Sequence, residues 1–177
     1  GGGFEICLSC NHRIVWNGKG VVMGLPEVTL GLMPGAGGVV RMTQLLGFEA
    51  AQPYLIEGKP IKPAAAVEAG LIDQTVDSLD QLLISAKAWI LANRDNPDAA
   101  IQPWDRKGFT IRGGSANSPG LAAKIALAAV TLRKKTRGLL PAPEAILIVA
   151  SEAARLDIDT ALKIEGRHFA ALVPSAV

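Results

Sequence analysis

The sequence is poor in aromatic residues, with one tyrosine, four phenylalanines and three tryptophans among 177 residues. Its core must therefore be built mainly from Ala, Val, Leu and Ile. A zinc centre needs four ligands, and neither histidine lies at a suitable spacing from the two cysteines. Cys7 and Cys10 form one C-x2-C with no second pair at ligand spacing, so no metal is expected. They read as small apolar residues buried on one helix face, and a reduced, cytoplasmic setting fits them. Charge of one sign is lacking too: Lys+Arg 18 against Asp+Glu 16 gives +2, which argues against a general nucleic-acid binder. No apolar run approaches the roughly 18–20 residues of a membrane span, and Lys124 interrupts the stretch Leu121 to Val130. No basic segment precedes an apolar one as in a signal peptide, and the sequence opens on Gly1-Gly2-Gly3 rather than methionine.

What is present is globular: 49% hydrophobic residues exclude a disordered chain, and the length suits about one domain. The segment 93–120 is rich in Pro, Gly, Asn and Asp and reads as a linker between a mixed first part and an alanine-rich helical second part. In the first part, Gly2 to Cys10 reads as a short helix and His12 to Trp16 as a strand. Asn17 to Gly20 forms a turn before a short strand over Val21 to Met23. Helices are expected over Gly37–Leu46, ended by Gly47, over Phe48–Ile56, and from Pro63 to Gly70. Ser78-Leu79-Asp80-Gln81 has the form of a capping box. Leu79, Leu82, Leu83, Ala86 and Ile90 then give an amphipathic helix over 78–92. In the second part, Leu121–Arg137 ends in Arg133, Lys134, Lys135 and Arg137, a solvated basic helix end. Pro143–Arg155 follows. Asp157 caps a last helix whose stripe is Ile158, Ala161, Leu162, Glu165, Phe169 and Leu172, with His168 beside it as a surface or packing residue.

Two motif matches fail. Gly35-Ala36-Gly37-Gly38-Val39-Val40 begins like G-x-G-x-x-G, but its sixth position is Val40 and no strand precedes it. Gly113-Gly114-Ser115-Ala116-Asn117 resembles a nucleophile elbow with Asn117 in place of the final glycine.

The chemistry concentrates in residues 1–41. Glycines opening a helix leave backbone N–H groups free, and without a Cβ a carbonyl can approach them closely. Together with the helix dipole they make a good half of an oxyanion hole. Glu5 lies in the first turn of that helix, and Glu27 follows the stiffening Pro26. Brought face to face, the two carboxylates are an acid–base pair. The plainer alternative is a helix-start acid and a surface acid. The glycines of Pro34-Gly35-Ala36-Gly37-Gly38 open another helix, whose free N–H groups would hold a water or ligand.

GGGFEICLSCNHRIV, followed by GLPEVTLGLMPGAGGVVRMTQLLG and GKPIKPAAAVEAGLIDQTVDSLDQLL, resembles the signature of the crotonase (enoyl-CoA hydratase/isomerase) superfamily. Gln102-Pro103-Trp104-Asp105 and PAPEAILIVASEAARLDIDTALKIEGRHFAAL are similar to the α-subunits of multifunctional fatty-acid oxidation complexes, nearest the actinobacterial type. The resemblance implies an α/β fold: residues 1–92 as the C-terminal half of a crotonase-type ββα-spiral domain, 93–120 as linker, and 121–177 as a helical region leading to an NAD-binding dehydrogenase domain. The sequence would then start at the oxyanion turn, inside an active site. By position, Glu5 and Glu27 match the catalytic glutamates of hydratases, Gly2 the oxyanion glycine and Gly35 the glycine that helps hold water. The implied substrate is a trans-2-enoyl-CoA thioester, with Δ3-Δ2 isomerisation as a related activity. NAD is implied only for the dehydrogenase part, and a thiolase β-subunit and further copies of the chain as partners. The alternatives are a piece of another crotonase-type isomerase or thioesterase, and a non-catalytic helical association module.

Overall fold

A computed structural model describes residues 1–115 and 117–175. Helix α1 spans Gly2–Leu8 and buries Phe4, Glu5 and Leu8. The chain then enters strand β1, Ile14–Trp16, and later a 3-10 turn, Pro26–Leu30. Three helices follow: α2 (Gly38–Leu46), α3 (Phe48–Leu55) and α4 (Pro63–Ala69). Strand β2, Gln74–Val76, pairs parallel with β1 in the register Ile14↔Gln74, Val15↔Thr75 and Trp16↔Val76. Helix α5 spans Asp80–Ala92. Beyond two further 3-10 turns come α6 (Pro119–Thr136), α7 (Pro141–Ala153) and α8 (Ile158–Leu172).

The chain is mostly helical, with one small parallel sheet among the described residues. Asp73 locks that sheet at its start. Its Oδ2 accepts the backbone N–H of Arg13 at 2.7 Å, and its carboxylate pairs with the Arg13 guanidinium at 3.2 Å. The Trp16 indole N–H donates to the Asp77 carbonyl at 3.1 Å and closes the other end.

Helix α2 is the hub. All its residues except Arg41 are buried, and α1, α3, α7 and α8 pack around it. Residues on both sides of segment 93–120 share one apolar core, in which Leu8, Val39, Val40 and Phe48 meet Ile146, Val149 and Ala161. The Gln44 side chain donates to the Ala153 carbonyl at 2.6 Å and pins α7 to α2 inside that core. The loop between the two parts is tied down as well: Gln102 donates to the Ser9 carbonyl and Arg112 to the Ala69 carbonyl, each at 2.9 Å.

Several local expectations need correction. Val21–Met23 is not a strand; only an isolated bridge, Met23 with Ile61, forms there. The 78–92 helix begins two residues late, because Gln81 accepts the N–H of Asp77, one residue short of the capping-box geometry, and Ser78 caps nothing. The stripe of α5 is not buried: Leu79, Leu83 and Ile90 are about 60% exposed, and α5 is anchored instead by Trp89 stacking on His12 at 4.5 Å. Cys7 and Cys10 are exposed, because α1 turns Phe4, Glu5 and Leu8 inward and leaves Cys7 outside, while Cys10 lies beyond the end of the helix. Helix α7 starts at Pro141, not Pro143. The basic end of α6 is exposed as expected, and the Asp157 side chain caps α8 by accepting the Thr160 N–H at 2.9 Å. Ala116, within the Gly113–Asn117 motif, lies outside the described residues.

Ile146 is fully buried on α7, where it faces the α2 core. Ile146→Ala is expected to lower stability by about 2–5 kcal/mol. A urea denaturation midpoint unchanged from wild type would contradict this placement of α7.

Candidate active site

The N-terminal ends of α1 and α2 carry the polar groups of interest. Glu5 is 5% exposed, yet it does not cap its own helix. Its Oε1 accepts two N–H groups of the α2 entry turn, from Ala36 at 2.8 Å and Gly38 at 2.9 Å. Such an approach requires glycine at 38, since a Cβ there would stand 2.8 Å from Glu5 Oε1 and 2.7 Å from Pro34. Among the described residues, Oε2 of Glu5 takes no hydrogen bond and is left for chemistry.

Gly1 connects Glu5 to Glu27. Its carbonyl accepts the N–H groups of Phe4 and Glu5, while its nitrogen donates to the Gly24 carbonyl and lies 3.6 Å from Glu27 Oε1. Glu27 sits in the first turn of the 3-10 element, where its Oε2 is buried without a hydrogen-bond partner. The two carboxylates thus flank one helix end with no direct contact between them. The N–H groups of Gly2 and Gly3 open α1 and have no acceptor among the described residues.

The α2 entry turn is not an open donor site, as its glycines suggested. Four of its N–H groups are taken by carboxylates: Ala36 and Gly38 by Glu5, Gly37 and Val40 by Glu165. Gly37 has φ +95°, and a Cβ there would strike the Arg41 guanidinium. With the N–H groups of residues 36, 37, 38 and 40 already taken, the turn does not fit the pyrophosphate of a dinucleotide such as NAD. The Gly35 N–H has no acceptor among the described residues, and the Phe169 ring packs so closely on Gly35 that a Cβ would lie 2.5 Å from it. No group of three or more potential metal ligands occurs among the described residues.

Glu165 was legible only as a member of the α8 stripe. It is fully buried and reaches the α2 turn from across the core, with Gly37 N–H at 2.6 Å and Val40 N–H at 2.9 Å. An acid in an otherwise apolar stripe was the available signal, because a buried carboxylate must find donors. Loss of water pushes its pKa up to about 7, against the lowering pull of the two N–H bonds and Arg41, and the Glu5 carboxylate raises it further.

Beside these groups lies a largely apolar cleft of about 1080 Å³, lined by Gly1–Phe4, β1 residues and the Leu82–Ile90 face of α5. No helix among the described residues is long and apolar enough to cross a membrane.

Residues 1–104 match the sequence profile of the family described as Enoyl-CoA hydratase/isomerase. The chain belongs to that family. Among curated proteins it is similar to "Fatty acid oxidation complex subunit alpha" of Shewanella amazonensis, 33% identical over 173 residues, covering 98% of this chain and 24% of that protein. The same subunit of Shewanella halifaxensis is 34% identical over 175 residues, 99% of this chain and 24% of the relative. The chain therefore spans about a quarter of the length of these relatives. Among solved structures it resembles a carnitinyl-CoA dehydratase from Mycobacterium avium, with TM-score 0.52 and 30% identity over 75% of this chain and 52% of that one. A carnitinyl-CoA hydratase from the same species gives TM-score 0.52 and 28% identity over 77% and 49%. The α/β crotonase-type fold is thereby established for this member of the hydratase/isomerase family.

The burial of Glu165 makes a prediction with a definite sign. Its folded pKa lies above its ordinary value of 4.5, so its stabilising contribution is complete below pH 4.5 and is lost as pH rises through about 7. The stability of wild type relative to Glu165→Gln should fall by on the order of 3 kcal/mol between pH 4 and pH 8. A constant difference in denaturation free energy across that range would refute the assignment.

Proposed function

We propose that these residues form the back half of an enoyl-CoA hydratase centre within a longer fatty-acid β-oxidation polypeptide. In this reading residues 1–92 complete the hydratase/isomerase domain, 93–120 connect, and 121–177 lead toward a 3-hydroxyacyl-CoA dehydrogenase domain that holds NAD. The observation that carries the proposal is the pairing at one helix end. Glu5 is pinned by one oxygen with the other free, and a buried, unpaired Glu27 oxygen and the unpaired Gly2 N–H lie at the same end.

These groups suit addition of water across a trans-2-enoyl thioester. Glu5 accepts a proton from water as the oxygen attacks C3. Negative charge developing on the thioester oxygen is stabilised by the Gly2 N–H and the α1 dipole, and Glu27 delivers a proton to C2. One water is added and the thioester is regenerated. In a Δ3-Δ2 isomerisation, Glu27 would instead move a proton between C4 and C2. The Gly35 N–H, which has no acceptor among the described residues, would help hold the attacking water. The apolar cleft and uncovered α5 face support a fold in which further chain packs there and supplies the second oxyanion donor. A thiolase β-subunit, further copies of the chain and a cytoplasmic setting belong to the same proposal.

In the full-length polypeptide, Glu5→Gln or Glu27→Gln should lower kcat for hydration of crotonyl-CoA by about 10²–10⁴-fold. The 177 residues expressed alone should show little or no hydration, since losing one oxyanion donor alone costs roughly 2.7–4 kcal/mol. Steady hydration by the short chain, abolished in Glu5→Gln, would overturn the incomplete-centre reading. Full-length activity indifferent to both glutamates would overturn the hydratase reading.

A further inference from the structure

We propose that Glu165 is a positioning residue of the active centre, fixing from α8 the turn on which the Glu5 carboxylate is seated and from which Gly35 is presented. The proposal rests on the hydratase reading and adds a residue about 160 positions away from Glu5 to that centre.

The α2 entry turn is held by three side chains. Glu5 takes the N–H groups of Ala36 and Gly38, Glu165 those of Gly37 and Val40, and Arg41 donates to the Ala36 carbonyl at 2.8 Å. The donors held by the two acids interleave along the turn. Displacement of Gly37 therefore moves Ala36 and Gly38, and with them the bonds that orient the Glu5 carboxyl plane. The next residues of α8 reach the same place: Leu162 packs beside Gly37 and Phe169 against Gly35. Helix α8 thus braces the turn at three successive points.

A core filler would not explain this position. An apolar residue of similar size would fill the space without burying a charge, and replacement of buried ionic groups in this way is often neutral or stabilising. The charged groups facing Glu165 are Glu5 from α1 and Arg41 from α2, and the buried face of α7, the other helix packed on α8, is apolar throughout. With both oxygens accepting N–H bonds, the ionised form grips the turn best. Protonation at low pH makes one oxygen a poorer acceptor and loosens the grip.

The test uses the full-length polypeptide carrying Glu165→Gln, with hydration kinetics and amide hydrogen exchange measured on the same protein. Gln presents an NH2 group to one of the two N–H donors and must lose that bond. The expected result is a kcat reduced roughly 10- to 100-fold with KM nearly unchanged, since a small misplacement of a reacting group has effects of this size. Amides 36–40 should exchange faster while the remaining core stays protected. Wild-type kcat in the variant, or a lowered kcat with undisturbed exchange at 36–40, overturns the proposal. If Glu165→Gln does not fold, Glu165→Asp decides, since it keeps the charge on a shorter arm: a lowered kcat with faster exchange at 36–40 supports the grip, and wild-type kcat or undisturbed exchange overturns it. If the wild type hydrates no enoyl-CoA, the hydratase reading fails. The exchange of amides 36–40 then still decides whether Glu165 holds the turn.

Discussion

The satisfaction of one buried helix N-terminus governs the arrangement of this chain. Helix α2 is almost entirely enclosed, so the buried N–H groups of Gly37, Gly38 and Val40 at its entry have no water to bond. Two carboxylates from distant segments serve them, Glu5 from the first turn of α1 and Glu165 from the third turn of α8. Each contact places a helix: α1 is drawn across the start of α2, and α8 is held along its side. The Gln44 bond to α7 and the shared apolar core are built around α2.

The same requirement links stability to chemistry. Carboxylates that satisfy backbone donors suit the positive end of a helix dipole. One of them, Glu5, keeps an oxygen free beside the unpaired donors of α1. The other is buried deeply enough for its titration to be displaced toward neutrality. Burial opposes its charge while its bonds favour it.

The open side of the molecule has the opposite character. Leu79, Leu83 and Ile90 stand in solvent on α5, and the apolar cleft runs from them to the α1 glycines. A face this apolar is unusual on a self-sufficient surface. It lies beside the groups proposed for catalysis, where an acyl chain or further protein would be covered from water.

The sequence by itself determined the local elements whose signals are short range. Gly47 and Gly70 stopped helices, Asp157 capped α8, and the glycines at 1–3 and 35–38 marked two helix entries. Glu5 and Glu27 were singled out by motif, and the family by the order of those motifs. Tertiary structure alone decided what each group meets. Periodicity assigned α5 an apolar face but could not say that nothing among these residues covers it, and spacing could not tell that Cys7 and Cys10 face outward. Free N–H groups at the α2 entry are a local property; their capture by acids 31 and 128 residues distant is not. Hydrogen-bond demand is written in the local sequence, whereas its partner is chosen by how the helices pack.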